Sequence, residues 1–285
     1  MGSSHPLAGH LQRVWRYYDR TESTIGYEKI MRGRKHYGWY EAGDSSLAFV
    51  KAQKRMEAEL AARLGLPAGS RVLDAGCGMG EVAREFATTC GWHVAGIDIL
   101  DVNLEWASAK SERLGLADTT HFQWGDFHDL QSPDAHFDGV YTMETLSHAS
   151  DFRKVLAEFY RVMKPGGRGV LVEYSRTPAA ELSESANKAL EQVCTIAAMP
   201  AWLELEHGLL EEELATAGFA DVLAEDVTAK MMPMLKVFSI GGRFPYWVGR
   251  KIGRPEKTVN AMSGVEMYRY PEAWAYQMYS FRKLE

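Results

Sequence analysis

Cysteine is scarce: Cys77, Cys90 and Cys194 are scattered through 285 residues, odd in number and without metal-ligand spacing. That excludes a disulfide scaffold and a zinc module, and leads to the expectation of reduced thiols in a cytoplasmic protein. Positive charge is also short, with 32 Lys and Arg against 38 Asp and Glu, a net charge of −6. The most basic stretch, Arg32 to Lys35, is brief and broken by Gly33. With no basic stripe to meet phosphates, nucleic acid is not expected as a partner. No apolar run reaches the length of a membrane span, and no basic-then-apolar leader opens the chain. There is no D-D-x-x-D run to hold a magnesium diphosphate, so no metal is expected. Repeats and low-complexity tracts are missing as well. Aromatic residues, by contrast, are plentiful, and many cluster toward the two ends of the chain.

The most informative stretch is Arg71 to Asp98, RVLDAGCGMGEVAREFATTCGWHVAGID. It reads as an apolar strand, a glycine turn (Gly76, Gly78, Gly80), a helix, and a second strand closed by an acid. That order builds a nucleotide crevice at the carboxyl end of a parallel sheet. Gly76 and Gly78 let backbone approach a ligand where a Cβ would clash. Asp98 stands where a carboxylate takes ribose hydroxyls. A dinucleotide fingerprint needs its third glycine one residue later, where Glu81 stands, and Glu81 would repel a pyrophosphate at the helix N-terminus. A nucleoside without phosphate fits instead, and S-adenosylmethionine is the cofactor that suits it.

The rest of the chain sets this crevice in context. Leu7, Leu11, Val14, Trp15 and Tyr18 recur at helical spacing and predict an amphipathic first helix. Its stripe needs a partner, either a neighbouring subunit or the mouth of the site. Residues 21–43, rich in glycine and aromatics, read as a lid, and Asp44 and Ser45 as caps of a helix ending near Leu64. Strands are expected near 71–75, 93–98, 120–124, 137–142 and 169–173, with helices near 81–90, 102–114 and 151–163. The alternation gives an α/β fold with a doubly wound, mostly parallel sheet and helices on both faces. Ser183 to Met199 and Leu209 to Ala217 read as helices, Met231 to Arg269 as a broken region, and Trp274 to Phe281 as an edge strand. The expected division is an N-terminal helix and lid over 1–44, and a cofactor-binding domain over 45–285 in which 176–270 caps the substrate.

Ile99 is expected against an adenine face, with Asp126 and Phe127 of WGDF beside it and Asp74 below; Asp74 and Asp126 keep plain turn or cap roles as alternatives. The segment FDGVYTMETLSHASDF follows the fourth strand, where an acceptor meets the cofactor. Tyr141 and Glu144 stand at that end, and Glu144 and His148 are the expected catalytic residues. Capping, a pair with Arg153, or a surface-loop role are the plainer readings of these two.

YTMETLSHA resembles the Y-x-x-E-A-T-C-H-A signature of sterol side-chain methyltransferases. YYDRTESTIGYEKIMRGRKHYGWYEAG is similar to the Y-Y-D … H-Y-G-Y-W/F-E stretch of that family and of tocopherol methyltransferases, and LDAGCGMGEVAREFA and RVMKPGGR match its later motifs. Leu146 and Ser147 depart from the sterol pattern, and bacterial terpenoid C-methyltransferases acting on geranyl diphosphate or a geranylated indole lactam resemble the chain as well. The resemblance, over residues 14 to 175, implies a class I methyltransferase fold with an N-terminal helical lid and a C-terminal cap. It implies methyl transfer from S-adenosylmethionine to an alkene carbon of a small hydrophobic prenylated molecule, through a carbocation. Tyr18 would join the cofactor site. Tyr17, His36, Tyr37, Trp39, Tyr40, Trp202, Phe244, Tyr246 and Trp247 would line an aromatic cavity for the acceptor. O- or N-methylation with Glu144 or His148 as general base remains open, as does a silent cofactor-binding subunit. A homo-oligomer is expected from the first helix's apolar stripe.

Overall fold

The structure, a computed structural model, describes residues 9–18 and 31–285. Leu7 of the predicted first helix and residues 21–30 of the predicted lid lie outside the described residues. Helix α1 spans Gly9–Tyr18 and α2 spans Phe49–Leu64. Strand β1 (Arg71–Ala75) leads into α3 (Glu81–Thr89), β2 (His93–Asp98), α4 (Asp101–Arg113) and β3 (Thr120–Trp124). Then come β4 (Phe137–Met143), a 3₁₀ turn at Leu146–His148, α5 (Phe152–Val162) and β5 (Met163–Arg176). Helices α6 (Glu184–Ala197), α7 (Pro200–Glu204) and α8 (Leu209–Thr216) precede β6 (Phe219–Asp226). Two further helices, α9 (Thr228–Lys251) and α10 (Val259–Arg269), lead to the last strand, β7 (Trp274–Lys283).

The seven strands form one sheet in the order β3-β2-β1-β4-β5-β7-β6. All neighbouring pairs are parallel except β7, which runs antiparallel to both β5 and β6. Because side chains alternate across a strand, Val72 and Tyr141 enter one buried layer while Leu73 and Val140 enter the other. The order reverses at β1, and the open ends of β1 and β4 there form the crevice where ligands of such sheets bind.

Two expectations change. Trp274 to Lys283 is an interior strand, because Phe219–Asp226, not anticipated, pairs along its far side. The region 231–269 is not broken but holds two helices, and α9 runs through Pro233 and Pro245. Its buried stripe of Met231, Leu235, Ser239, Gly242 and Tyr246 recurs at helical spacing and overrides the proline signals. Gly242 lets α10 come close, since a Cβ there would stand 2.8 Å from the Ala261 carbonyl oxygen. The expected caps at Asp44 and Ser45 do not cap α2, which starts at Phe49; Asp44 instead accepts from Lys51 (2.8 Å) and Arg55 (2.6 Å).

The segment 31–40 is pinned to α2. Arg34 Nε donates to Glu57 at 2.6 Å, His36 pairs with the same carboxylate at 3.1 Å, and Gln53 holds the His36 carbonyl at 2.8 Å. Gly38 lies so close that a Cβ would sit 2.6 Å from the Ala52 methyl and 2.8 Å from backbone. Gly38→Ala is expected to destabilise by about 1–3 kcal/mol through overpacking. Urea unfolding checks this, and an unchanged midpoint would contradict the packing account.

Candidate functional site

Two cavities meet at the carboxyl ends of β1 and β4. The first is a cleft lined by Asp74, Gly76, Gly78, Asp98, Ile99, Asp126, Phe127 and Tyr141, the expected cofactor residues. Leu11, Val14 and Tyr18 of α1 close its mouth, so the apolar stripe of that helix finds its partner within the chain. Gly76 has φ +101°, and a Cβ on it would stand 2.1 Å from Thr145. Gly80, with φ +69°, does not line the cleft: a Cβ there would meet Phe122 and Arg84, so the third glycine serves the turn and its packing.

Asp98 ends β2 with its carboxylate partly used. Its Oδ2 accepts from the Gly78 amide at 2.8 Å, and its Oδ1 from the Leu100 amide at 2.9 Å. Lone pairs remain for a ligand's hydroxyls. Burial raises the Asp98 carboxyl from its ordinary value, opposed by Lys35 and these amides. Below it, the Asp74 carboxyl and the Tyr141 hydroxyl are buried against each other, and burial lifts Asp74 to about 7, opposed by that hydroxyl. A buried carboxyl at the floor of a glycine-walled cleft fits the ammonium of an amino-acid moiety. Asp126 accepts from His128 Nδ1 at 2.6 Å and from its amide at 3.0 Å. Lys35 lies across the glycine turn, 4.7 Å over the Tyr18 ring and 3.3 Å from Asn103 Oδ1, leaving about 90 Å³ open.

The second cavity, about 610 Å³, is mostly apolar and of ordinary size for a small-molecule site. Tyr17, Tyr37 and Trp202 line it as expected, together with Tyr174 and Phe238. Trp202 stacks on Tyr174 at 4.4 Å. Tyr18, Lys35, His36, Glu144 and His148 face both cavities. Five expected lining residues stand elsewhere. Trp39 is buried with its indole N–H on Glu41 (2.7 Å), and Tyr40 packs with Met31, Ala52 and Met234. Phe244 is 71% exposed on the outer side of α9, and Tyr246 and Trp247 border a separate outer groove.

Glu144 is the sole carboxylate among the described residues lining the second cavity. It has φ +57°, a conformation that costs energy outside glycine and recurs at functional sites. Its carboxylate accepts from the Tyr37 amide (2.7 Å), the Tyr174 hydroxyl (2.5 Å) and the Tyr276 hydroxyl (2.7 Å). Burial pushes its pKa up, and those three donors pull it down. It caps no helix; Asp151 caps α5 instead. Behind it, buried Glu173 accepts from the amides of Thr145, Leu146 and Ser147 (2.8, 2.7 and 3.2 Å) and from the Thr142 hydroxyl (3.0 Å). That fixes the 3₁₀ turn carrying His148. Burial still lifts Glu173 to about 7.

His148 is buried rather than a surface loop residue. Its Nδ1 meets the Ala198 carbonyl at 2.8 Å, so Nδ1 carries the proton and Nε2 accepts from the Tyr18 hydroxyl at 3.0 Å. Burial lowers its pKa to about 4, so the ring is neutral at physiological pH. Sequence reasoning missed Tyr174, Tyr276, Glu173 and Lys35. The signal for Glu173 was present, a lone acid in the apolar strand GVLVEYS.

Residues 72–167 match the family model described as a methyltransferase domain. The chain is 36% identical to an S-adenosyl-L-methionine-dependent Diels-Alderase of Talaromyces variabilis, over 94% of this chain and 93% of that one. It is 31% identical to a sterol 24-C-methyltransferase of Eremothecium gossypii, over 81% of this chain but 63% of the longer relative. Among solved structures, geranyl diphosphate methyltransferase superposes with a TM-score of 0.74 at 17% identity, over 98% of this chain and 100% of that one.

Asp98→Ala should weaken S-adenosylmethionine binding by about 1.5–3 kcal/mol, the range for hydrogen bonds to a charged group. Calorimetry checks it, and unchanged affinity would contradict the ribose assignment. For His148 the folded pKa is depressed, so its contribution to stability is present above the unfolded value near 6.5 and lost as pH falls toward about 4. In His148→Gln, the acid loss of unfolding free energy over that window should shrink by about 3 kcal/mol. An unaltered pH slope in urea titrations would contradict a buried, neutral imidazole.

Proposed function

Because the chain belongs to the S-adenosylmethionine-dependent methyltransferases, we propose that it methylates an alkene carbon of a small, hydrophobic, prenylated acceptor held in the second cavity. The observation that carries this reading is Glu144, a half-buried carboxylate without an ion-pair partner among the described residues, on the boundary of cofactor cleft and apolar cavity. Gly76, Gly78, Asp74 and Asp98 are the residues assigned to the cofactor, with Ile99, Asp126 and Phe127 about its base. When bound, the cofactor supplies an electrophilic methyl group on a sulfonium.

An alkene is a weak nucleophile, and its attack leaves positive charge on the acceptor. Glu144, already oriented by two phenols and an amide, stabilises that charge without reorganising, which is what makes such groups effective in a water-excluded site. The faces of Tyr17, Tyr37, Tyr174 and Trp202 contribute about 0.5–2 kcal/mol each when a cation is near. The Tyr18 hydroxyl, held by the neutral His148 Nε2 at 3.0 Å, takes the proton that the cation loses and passes its own to Nε2. Helix α1 and segment 31–40 are the lid that keeps out water, which would otherwise trap the cation. Residues 176–270 supply the wall of the acceptor cavity. The sterol and geranyl diphosphate relatives support an isoprenoid acceptor. The lining lacks an acidic metal cluster among the described residues, which favours a non-ionic prenyl chain over a metal-held diphosphate.

The long match to a Diels-Alderase favours a second reading, in which the same cavity folds a polyene for cyclisation while the cofactor is retained. Product mass separates the two. Incubation with prenylated acceptors should give a gain of about 14 Da, one CH₂, on carbon. A product of unchanged mass supports cyclisation, and a methyl on oxygen or nitrogen supports base catalysis by His148. Glu144→Gln should lower turnover by about 10²–10³ with cofactor affinity little changed. Near wild-type turnover would remove Glu144 from the chemistry.

A further inference from the structure

The inner side of α9 lines the apolar cavity through Val237, Phe238, Gly241, Gly242 and Pro245. Its outer side carries three large exposed apolar side chains. Ile240, Phe244 and Trp247 are 56%, 71% and 56% exposed, and Phe244 and Trp247 stack at 6.1 Å. With Lys251 they recur at i, i+4, i+7 and i+11, so they form one ridge along the helix. From Lys236 to Arg254 the sequence holds Lys236, Arg243, Arg250, Lys251 and Arg254 and no acid, in a chain of net charge −6. Beside the ridge, a groove of about 840 Å³ between α9 and α10 is lined by Arg243, Arg250, Lys251 and Arg269 with Tyr246 and Tyr268. Glu266 of α10 is taken up by Arg269 at 3.2 Å.

We propose that this face docks on an anionic phospholipid surface. Large aromatics flanked by Arg and Lys on one helix face are the composition that settles at the headgroup level of a bilayer, the apolar ridge entering and the cations meeting lipid charge. A second copy suits the face poorly, because a two-fold contact opposes the same patch to itself and sets cations against cations. No helix among the described residues is long and apolar enough to cross a membrane, so the contact is peripheral. One helix thus joins the membrane to the cavity: its outer residues touch lipid, and its inner residues wall the space for an acceptor that partitions into lipid.

The test is sedimentation of the full chain with vesicles of phosphatidylcholine, with and without phosphatidylserine. Binding is expected only with phosphatidylserine, and it should weaken in about 1 M salt, where charge is screened within about 3 Å. Phe244→Ser with Trp247→Ser, and separately Arg243→Gln with Arg250→Gln, should each lower the bound fraction about tenfold or more. Thermal unfolding should be unchanged, since these side chains are on the surface. Equal binding to both vesicle types, no binding, or full binding by either double variant would overturn the proposal. A fall in sedimentation coefficient on removing the aromatics, without vesicle binding, would overturn it in favour of a second copy.

Discussion

A half-buried carboxylate held by hydrogen bonds rather than by a cation sets the terms for the whole site. Burying a charge is costly unless it is well bonded, and Glu144 is bonded from three parts of the fold. The Tyr37 amide comes from the segment clipped onto α2, Tyr174 from β5, and Tyr276 from β7. The antiparallel β7 therefore does more than widen the sheet, because without it Glu144 would lose a phenol. The left-handed backbone at Glu144 is tolerated because the next three residues hang on Glu173. A carboxylate in that state is poised toward positive charge developing nearby, which is what an alkene acceptor would present.

Much of the sheet and the cleft could be read from the sequence because local signals agreed. β1, β2 and β3 follow the expected spans, since apolar runs, glycine turns and acids at strand ends all point the same way. Asp74, Gly76, Gly78 and Asp98 come together because a single crossover fixes their places, and Tyr141 joins them from β4, paired beside Asp74. The C-terminal third was harder. Pro233 and Pro245 argued for breaks, yet α9 continues because its apolar stripe is buried against α10 and the cavity wall. The short alternation of Phe219–Asp226 was masked by its exposed outer side at the sheet edge.

The aromatic residues show where spacing stops being informative. Trp202 reaches the second cavity while Trp39 and Tyr40 serve packing and Phe244 faces outward, although all were equal candidates by composition. What separates them is which face of an element looks inward, and tertiary contacts decide that. Tyr276 shares one buried layer with Trp274 and Met278, as strand alternation requires. That its hydroxyl ends on Glu144, 132 positions away in the chain, could not be read from any local pattern.

The account turns on whether the junction of the two cavities prefers positive charge. The direct measurement is the affinity of an ammonium analogue of a prenylated acceptor, with nitrogen in place of the carbon that becomes cationic, against its neutral isostere. Such charge mimicry should give at least about 10²-fold tighter binding, as transition-state analogues do, and the advantage should vanish in Glu144→Gln. Equal affinities of the two compounds for the unaltered protein would contradict the account.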